Sequence, residues 1–107
     1  MNRVFKALAD PTRRRVLQLL RERPMSAGEL SDHFPISKAT MSGHFAVLRE
    51  AELIDADKQG TTITYQLRLS VLEDALLAFA DSFGIGFAPA ESPIASSLKR
   101  RPSSGKA

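Results

Sequence analysis

The chain is predicted to be mainly α with one small β-hairpin, four helices before the hairpin and one after it. Three observations carry this. Apolar residues recur at helical spacing up to residue 51 and again from residue 71 to 83. Between those stretches, Leu53–Asp57 and Thr61–Leu67 alternate, the second being β-branched and aromatic, and Lys58-Gln59-Gly60 joins them as a turn with glycine available for positive φ. Helix starts are marked by Asp10-Pro11, by the capping box Ser26-Ala-Gly-Glu29 and by Ser37.

Taken in order, Asn2–Ala9 is a short helix with Val4, Phe5 and Leu8 on one side. Asp10 caps the next helix, and Pro11 occupies its first position, where a missing amide is harmless. That helix runs to about Arg23, buries Val16, Leu17, Leu19 and Leu20, and is ended by Pro24. Arg13, Arg14 and Arg15 cannot all face one way, since neighbours lie about 100° apart. One of them is expected to make an internal salt bridge or helix-end contact, the others to stay solvated or reach phosphate. A third helix, 27–33, buries Leu30, and Phe34-Pro35-Ile36 turns the chain into the fourth.

The fourth helix, capped by Ser37 and running to about Ala51, is the centre of the sequence. Met41, Phe45 and Leu48 form its buried stripe. The opposite side carries Ala39, Thr40, Gly43, Ala46 and Val47, flanked by Lys38, Ser42 and His44. A solvated face normally carries long charged residues, whereas this slim face suits close approach to another surface, and a major groove admits one such helix. A surface helix that is merely rich in serine and alanine is the competing reading. Two short helices joined by a tight turn form a helix-turn-helix, and a hairpin directly after it is a wing. Glu50, Glu52, Asp55 and Asp57 at the base of the wing repel phosphate, leaving Lys58 as the cation near its tip.

Ser70 is expected to cap the last helix, Val71 to about Phe83. Its stripe Leu72, Ala75, Leu76, Phe79 and Phe83 is wider than packing within one small domain requires. The surplus, with Val4, Phe5 and Leu8, is read as a homodimer interface, against the alternative of a fully buried core helix. Residues 1–84 thus form one domain. Residues 85–107, rich in Pro, Ser, Ala and Gly, read as a disordered basic tail, in which Lys99-Arg100-Arg101 adds sequence-independent attraction to DNA or is simply a solvated end.

Composition narrows the function. With no cysteine in 107 residues, disulfides, thiolate metal sites and cysteine nucleophiles are excluded. The longest apolar run, Ala75–Ala80, is far short of a membrane span, and arginines interrupt any N-terminal signal, so a cytoplasmic protein without stable membrane insertion is expected. The net charge of +3 is unevenly spread. Residues 1–49 carry nine Lys/Arg against four acids, and residues 50–84 carry two against seven. A basic N-terminal half points to a polyanion. An enzyme is not expected: Ser37, Ser42 and His44 share a helix, yet no acid is placed to orient the histidine and there is no glycine-rich phosphate loop.

Several motifs stand in one order: Phe5-Lys-Ala-Leu-Ala-Asp-Pro-Thr-Arg13, Val16-Leu17, Glu29-Leu30, Ser37 to His44, Leu48-Arg-Glu-Ala51, and the Gly60 hairpin ending in Tyr65. In these the chain resembles the ArsR-type winged-helix repressors over about residues 2–83, most closely their SdpR-like autorepressor branch. The resemblance implies a homodimer joined through its first and last helices, at Val4, Phe5, Leu8, Leu72, Leu76, Phe79 and Phe83, that binds a dyad-symmetric double-stranded operator and represses transcription. It places DNA reading at Ser37, Lys38, Thr40, Ser42, Gly43 and His44. Val47 is added because discrimination lost at Gly43 could move to Thr40 and Val47, and Arg14, Arg49 and Lys58 are added as cations within reach of phosphate. Gly43 and Glu52 depart from the family pattern, which has a long polar residue and a glycine there. Metal-sensing members use cysteines before the recognition helix or Asp/His sets on the last helix. Here Ser31-Asp32-His33 offers no thiolate, and Glu73, Asp74 and Asp81 have no histidine beside them, so neither metal nor cofactor is expected. His33 is expected to be a capping or surface residue. In the autorepressor branch, release from DNA looks to come from a protein partner, in some members a membrane-bound one. Two alternatives stay open: a metal-sensing repressor of the same fold, and a winged-helix protein-interaction module with weak, sequence-blind DNA binding.

Overall fold

The computed structural model describes residues 2–86. Its elements are α1 (Asn2–Leu8), α2 (Pro11–Glu22), β1 (Met25–Ser26), α3 (Ala27–Ser31), α4 (Lys38–Glu50), β2 (Ile54–Gln59), β3 (Thr62–Leu67) and α5 (Leu69–Ser82). Two compact units divide within α5, one covering Met1–Ala75 and the second beginning at Leu76. The tail expected from residue 85 lies, beyond Gly86, outside the described residues.

The starts of α2, α3 and α4 follow their sequence signals. Asp10 accepts from the amides of Thr12 (2.7 Å) and Arg13 (3.2 Å), two of the donors a helix leaves unpaired. Ser26 and Glu29 complete a reciprocal capping box at α3: the Ser26 hydroxyl accepts from the Glu29 amide, and the Glu29 carboxylate accepts from the Ser26 amide. The Ser37 hydroxyl accepts from the Thr40 amide at α4. Ser70, by contrast, does not cap α5, which starts one residue earlier at Leu69. Arg68 makes the junction instead. Its amide donates to Leu53 O (2.9 Å), and its carbonyl accepts from Val71 N (3.1 Å), so one residue closes the sheet and opens the helix.

The hairpin carries a third strand that the sequence reading lacks. The sheet order is β1-β3-β2, all antiparallel, with Met25 opposite Tyr65 and Ser26 opposite Thr64. The turn also sits later than expected. Lys58 and Gln59 belong to β2, opposite Ile63 and Thr62, and Gly60-Thr61 forms the loop, with Gly60 at φ 62°. A two-residue hairpin loop with glycine first satisfies the right-handed strand twist with one positive φ.

The core of the first unit is built from Val16, Leu30, Met41, Leu48 and Leu53, all fully buried, with Phe45 against Tyr65 at a ring-centroid separation of 4.8 Å. Each large apolar side chain buried this way contributes roughly 1.5–3 kcal/mol. Met41, Phe45 and Leu48 pin α4 from below, so its other face points outward. Val4 and Ala7 of α1 join the same core.

In the second unit, α5 ends in a Schellman motif. Ile85 N donates to Ala80 O (2.9 Å), Gly84 N donates to Asp81 O (3.0 Å), and Gly84 takes φ 72°. Leu76, Leu77, Phe79 and Phe83 are all exposed. Among the described residues, no helix is long and apolar enough to cross a membrane.

Candidate nucleic-acid interface

The expected reading helix is present and its outer face is slim. Lys38, Ala39, Thr40, Ser42, Gly43, Ala46 and Arg49 are exposed, while Met41, Phe45 and Leu48 are buried. A Cβ placed on Gly43 would have nothing within 4 Å. The glycine is therefore not required by packing within the chain, and it leaves the centre of the face bare. Val47 is half-buried and packs against the core, so only part of it is open to a groove.

The rim of this face is polar and basic. The Ser37 hydroxyl, besides capping α4, donates to Thr40 Oγ1 at 3.0 Å. That bond holds two of the expected reading residues together at the start of the helix. Lys38 and Arg49 project from one flank. Arg49 also acts on Tyr65: burial raises the Tyr65 phenol above its ordinary range, and the positive charge of Arg49 opposes that rise. Lys58 is exposed on β2.

The other flank is where the structure adds most to the sequence reading. Two arginines, not one, make helix-end contacts. Arg14 Nη1 donates to Leu8 O at 2.7 Å. Arg13 Nε donates to Ala7 O at 2.9 Å and Nη2 to Lys6 O at 3.1 Å, and Nη1 lies 3.2 Å from His44 Nδ1. Arg13 thus spans α1, α2 and α4. Its signal in the sequence was its place in the first turn of α2, just after the Ala9-Asp10 break, where a long side chain can fold back over the end of α1. Asp10 sits beside this group. Burial alone would raise its carboxyl. The Arg13 and Thr12 amides, and in the acid range where it titrates the charges of His44 and Arg13, outweigh that and hold it below the usual carboxylate range.

The wing base is acidic and partly neutralised. Arg68 lies 3.9 Å from Glu52 and 3.7 Å from Asp55, both pairs solvent-exposed. Exposed pairs at these distances contribute little to stability. They do occupy an arginine that would otherwise attract phosphate. His33 is exposed, and its amide donates to Leu30 O at the end of α3. Among the described residues, no group of three or more His, Asp or Glu is placed to hold a metal ion.

Of the expected dimer residues, Leu76, Phe79 and Phe83 are 44%, 45% and 66% exposed. Val4 is not available in this way. It is 6% exposed and lies in the core of its own chain, because α1 turns that residue, with Ala7, inward. Phe5, Leu8 and Leu72 are half-buried.

Comparison with known proteins agrees with this geometry. A helix-turn-helix domain family model matches residues 8–56. The chain is 46% identical over 76 residues to the transcriptional repressor SdpR of Bacillus subtilis (strain 168), covering 71% of this chain and 84% of that protein. The crystal structure of an ArsR family transcriptional regulator superposes with a TM-score of 0.72 at 30% identity, covering 78% of this chain and 91% of the other. The crystal structure of a possible transcriptional regulator for arsenical resistance superposes at 0.66 with 34% identity, covering 90% and 95%. With a helix-turn-helix, a wing and relatives of this closeness, the chain belongs to the ArsR family of winged helix-turn-helix transcriptional regulators, DNA-binding proteins rather than enzymes.

Proposed function

We propose that the protein is a metal-independent repressor that binds a dyad-symmetric operator as a homodimer, through two copies of α4 set about one turn of DNA apart. The observation that carries this is the outer face of α4, bare at Gly43 and edged by Lys38, Ser42, Arg49 and the Ser37–Thr40 pair. A bare centre lets the helix axis approach the groove floor, and the polar rim meets phosphates and base edges. In this reading Arg14 and Lys58 contact phosphate, and the half-buried Val47 offers its exposed part to the groove.

The apolar residues of α5 support a second copy of the chain as the partner, because exposed apolar residues at Leu76, Phe79 and Phe83 repeat at helical spacing. Phe5, Leu8 and Leu72 are the further candidates. The absence of cysteine supports metal independence, and similarity to the Bacillus subtilis repressor supports repression.

Binding-site selection from a random DNA pool, with and without chelator, tests the reading. A dyad-symmetric site recovered equally in both arms is expected. A site recovered only with metal present makes the protein a metal sensor. Absence of any motif, with binding lost at physiological salt, makes it an interaction module, the outcome that exposed Asp55 and Asp57 on β2 would favour.

A further inference from the structure

The contact between Arg13 and His44 restricts what the imidazole can do. A guanidinium has five N–H donors and no acceptor. At 3.2 Å, the proton between Arg13 Nη1 and His44 Nδ1 therefore belongs to the arginine, and Nδ1 accepts with its lone pair. The ring's own hydrogen is then on Nε2. Arg13 is itself held in place, since Nε and Nη2 are anchored on the Ala7 and Lys6 carbonyls at the end of α1. The half-buried His44 is thus clamped on its inner nitrogen by a group tied to a different helix.

We propose that Arg13 is a positioning residue that ties α4 to the end of α1 and fixes His44 as the Nε2–H tautomer, so that the imidazole meets DNA as a hydrogen-bond donor. The DNA role of His44 rests on the reading of α4 given above; the tautomer does not. A donor at this place is matched by an acceptor: guanine N7 or O6, adenine N7, thymine O4 or a phosphate oxygen. It is mismatched by the amino groups of adenine and cytosine. Because α1 and α4 share this clamp, a displacement of α1 also reaches the reading helix.

The nitrogen resonances of the His44 ring, recorded on the full chain at about pH 8, where a histidine is ordinarily neutral, test the clamp without DNA. A pyridine-like, hydrogen-bonded Nδ1 and a proton-bearing Nε2 are expected. R13M, which keeps the stem and removes every donor, should shift the Nδ1 resonance. A proton on Nδ1 in the wild type, or an Nδ1 resonance unchanged in R13M, overturns the clamp. Two further variants separate the nitrogens. The carbonyl of asparagine overlies Nδ1, whereas the amide of glutamine reaches the place of Nε2. H44N should keep the wild-type unfolding midpoint and bind the selected duplex about tenfold more weakly, the loss of roughly one hydrogen bond. H44Q should lower the unfolding midpoint, because its side chain no longer meets Arg13 Nη1, and should bind the selected duplex more tightly than H44N. H44N binding as tightly as wild type overturns the donor role. A changed base preference at one symmetric pair of positions in H44N identifies a base acceptor. Uniform weakening with a shallower salt dependence identifies a phosphate. Either supports the proposal. Should selection recover no site, the DNA reading of α4 fails, and the nitrogen resonances still decide the clamp on their own.

Discussion

Glu52 is a residue whose backbone contradicts its side chain. At φ 62° it holds the left-handed conformation that ends α4, with Leu53 N donating to Leu48 O (3.1 Å) and Glu52 N to Arg49 O (2.9 Å). This is a Schellman motif with glutamate where glycine is normally found. A side chain in this conformation costs roughly 1 kcal/mol, and the 3.9 Å pair with Arg68 returns little because both partners are exposed. Glu52→Gly should therefore stabilise the protein by about 1 kcal/mol, raising the thermal midpoint by roughly 4–8 °C. A midpoint at or below that of wild type would show that the carboxylate does more than the geometry indicates. Gly43 poses the opposite case: a helix interior with no need for glycine and open space above it. Gly43→Ala should add about 1 kcal/mol to the stability of the free protein. Weaker DNA binding in that more stable variant would show that the bare backbone serves close approach to the groove, while unchanged binding would place the groove floor farther away.

At the scale of elements, two helix starts contribute to the response to acid. Asp10 at α2 is held below its ordinary range against the pull of its burial, by two backbone amides and neighbouring positive charge. Glu29 at α3 is lowered by the Ser26 amide first and by the Arg23 side chain, 3.1 Å away, second. For a carboxylate depressed in the folded state, the unfolded chain binds the proton more readily. Stability is thus complete above the ordinary carboxylate range, whose reference values are 3.8 for Asp and 4.5 for Glu, and falls as pH drops through the lower folded values. Asp10→Ala should lose about 1 kcal/mol at neutral pH and flatten the acid limb of a stability-against-pH curve; an acid limb identical to wild type would remove Asp10 from this role. These starts were legible in the sequence because a cap needs a particular residue at one place. The same holds for the buried stripe Met41, Phe45 and Leu48, which periodicity specifies alone. The two-residue strand Met25–Ser26 was not legible, since it is made only by pairing with Thr64 and Tyr65, nearly forty positions away. Nor was the Arg13–His44 contact, which depends on where α1 ends relative to α4. Periodicity likewise placed Val4 on the apolar side of α1 without distinguishing its own core from a partner's surface.

For the whole molecule, the proposed function turns on assembly as a dimer. Leu76, Phe79 and Phe83 leave apolar surface exposed on α5, which supports a second copy of the chain as its cover. In the proposed reading, two α4 helices held at a fixed separation read a dyad, and a second copy would supply that geometry. On that proposal the coupling is steep, because a half-site bound by one protomer forfeits the contacts of the other. Leu76→Glu and Phe83→Glu place a carboxylate where the side chain is already exposed within the chain, so neither should unfold the protomer. Each should shift the assembly from dimer to monomer in sedimentation at micromolar concentration and weaken binding to a dyad-symmetric duplex by more than about 100-fold, while binding to a single half-site changes by less than about threefold. Dimers that persist in both variants would move the interface away from α5. Monomers that bind the full site as tightly as wild type would remove the need for a dimer in recognition, leaving each α4 to act alone.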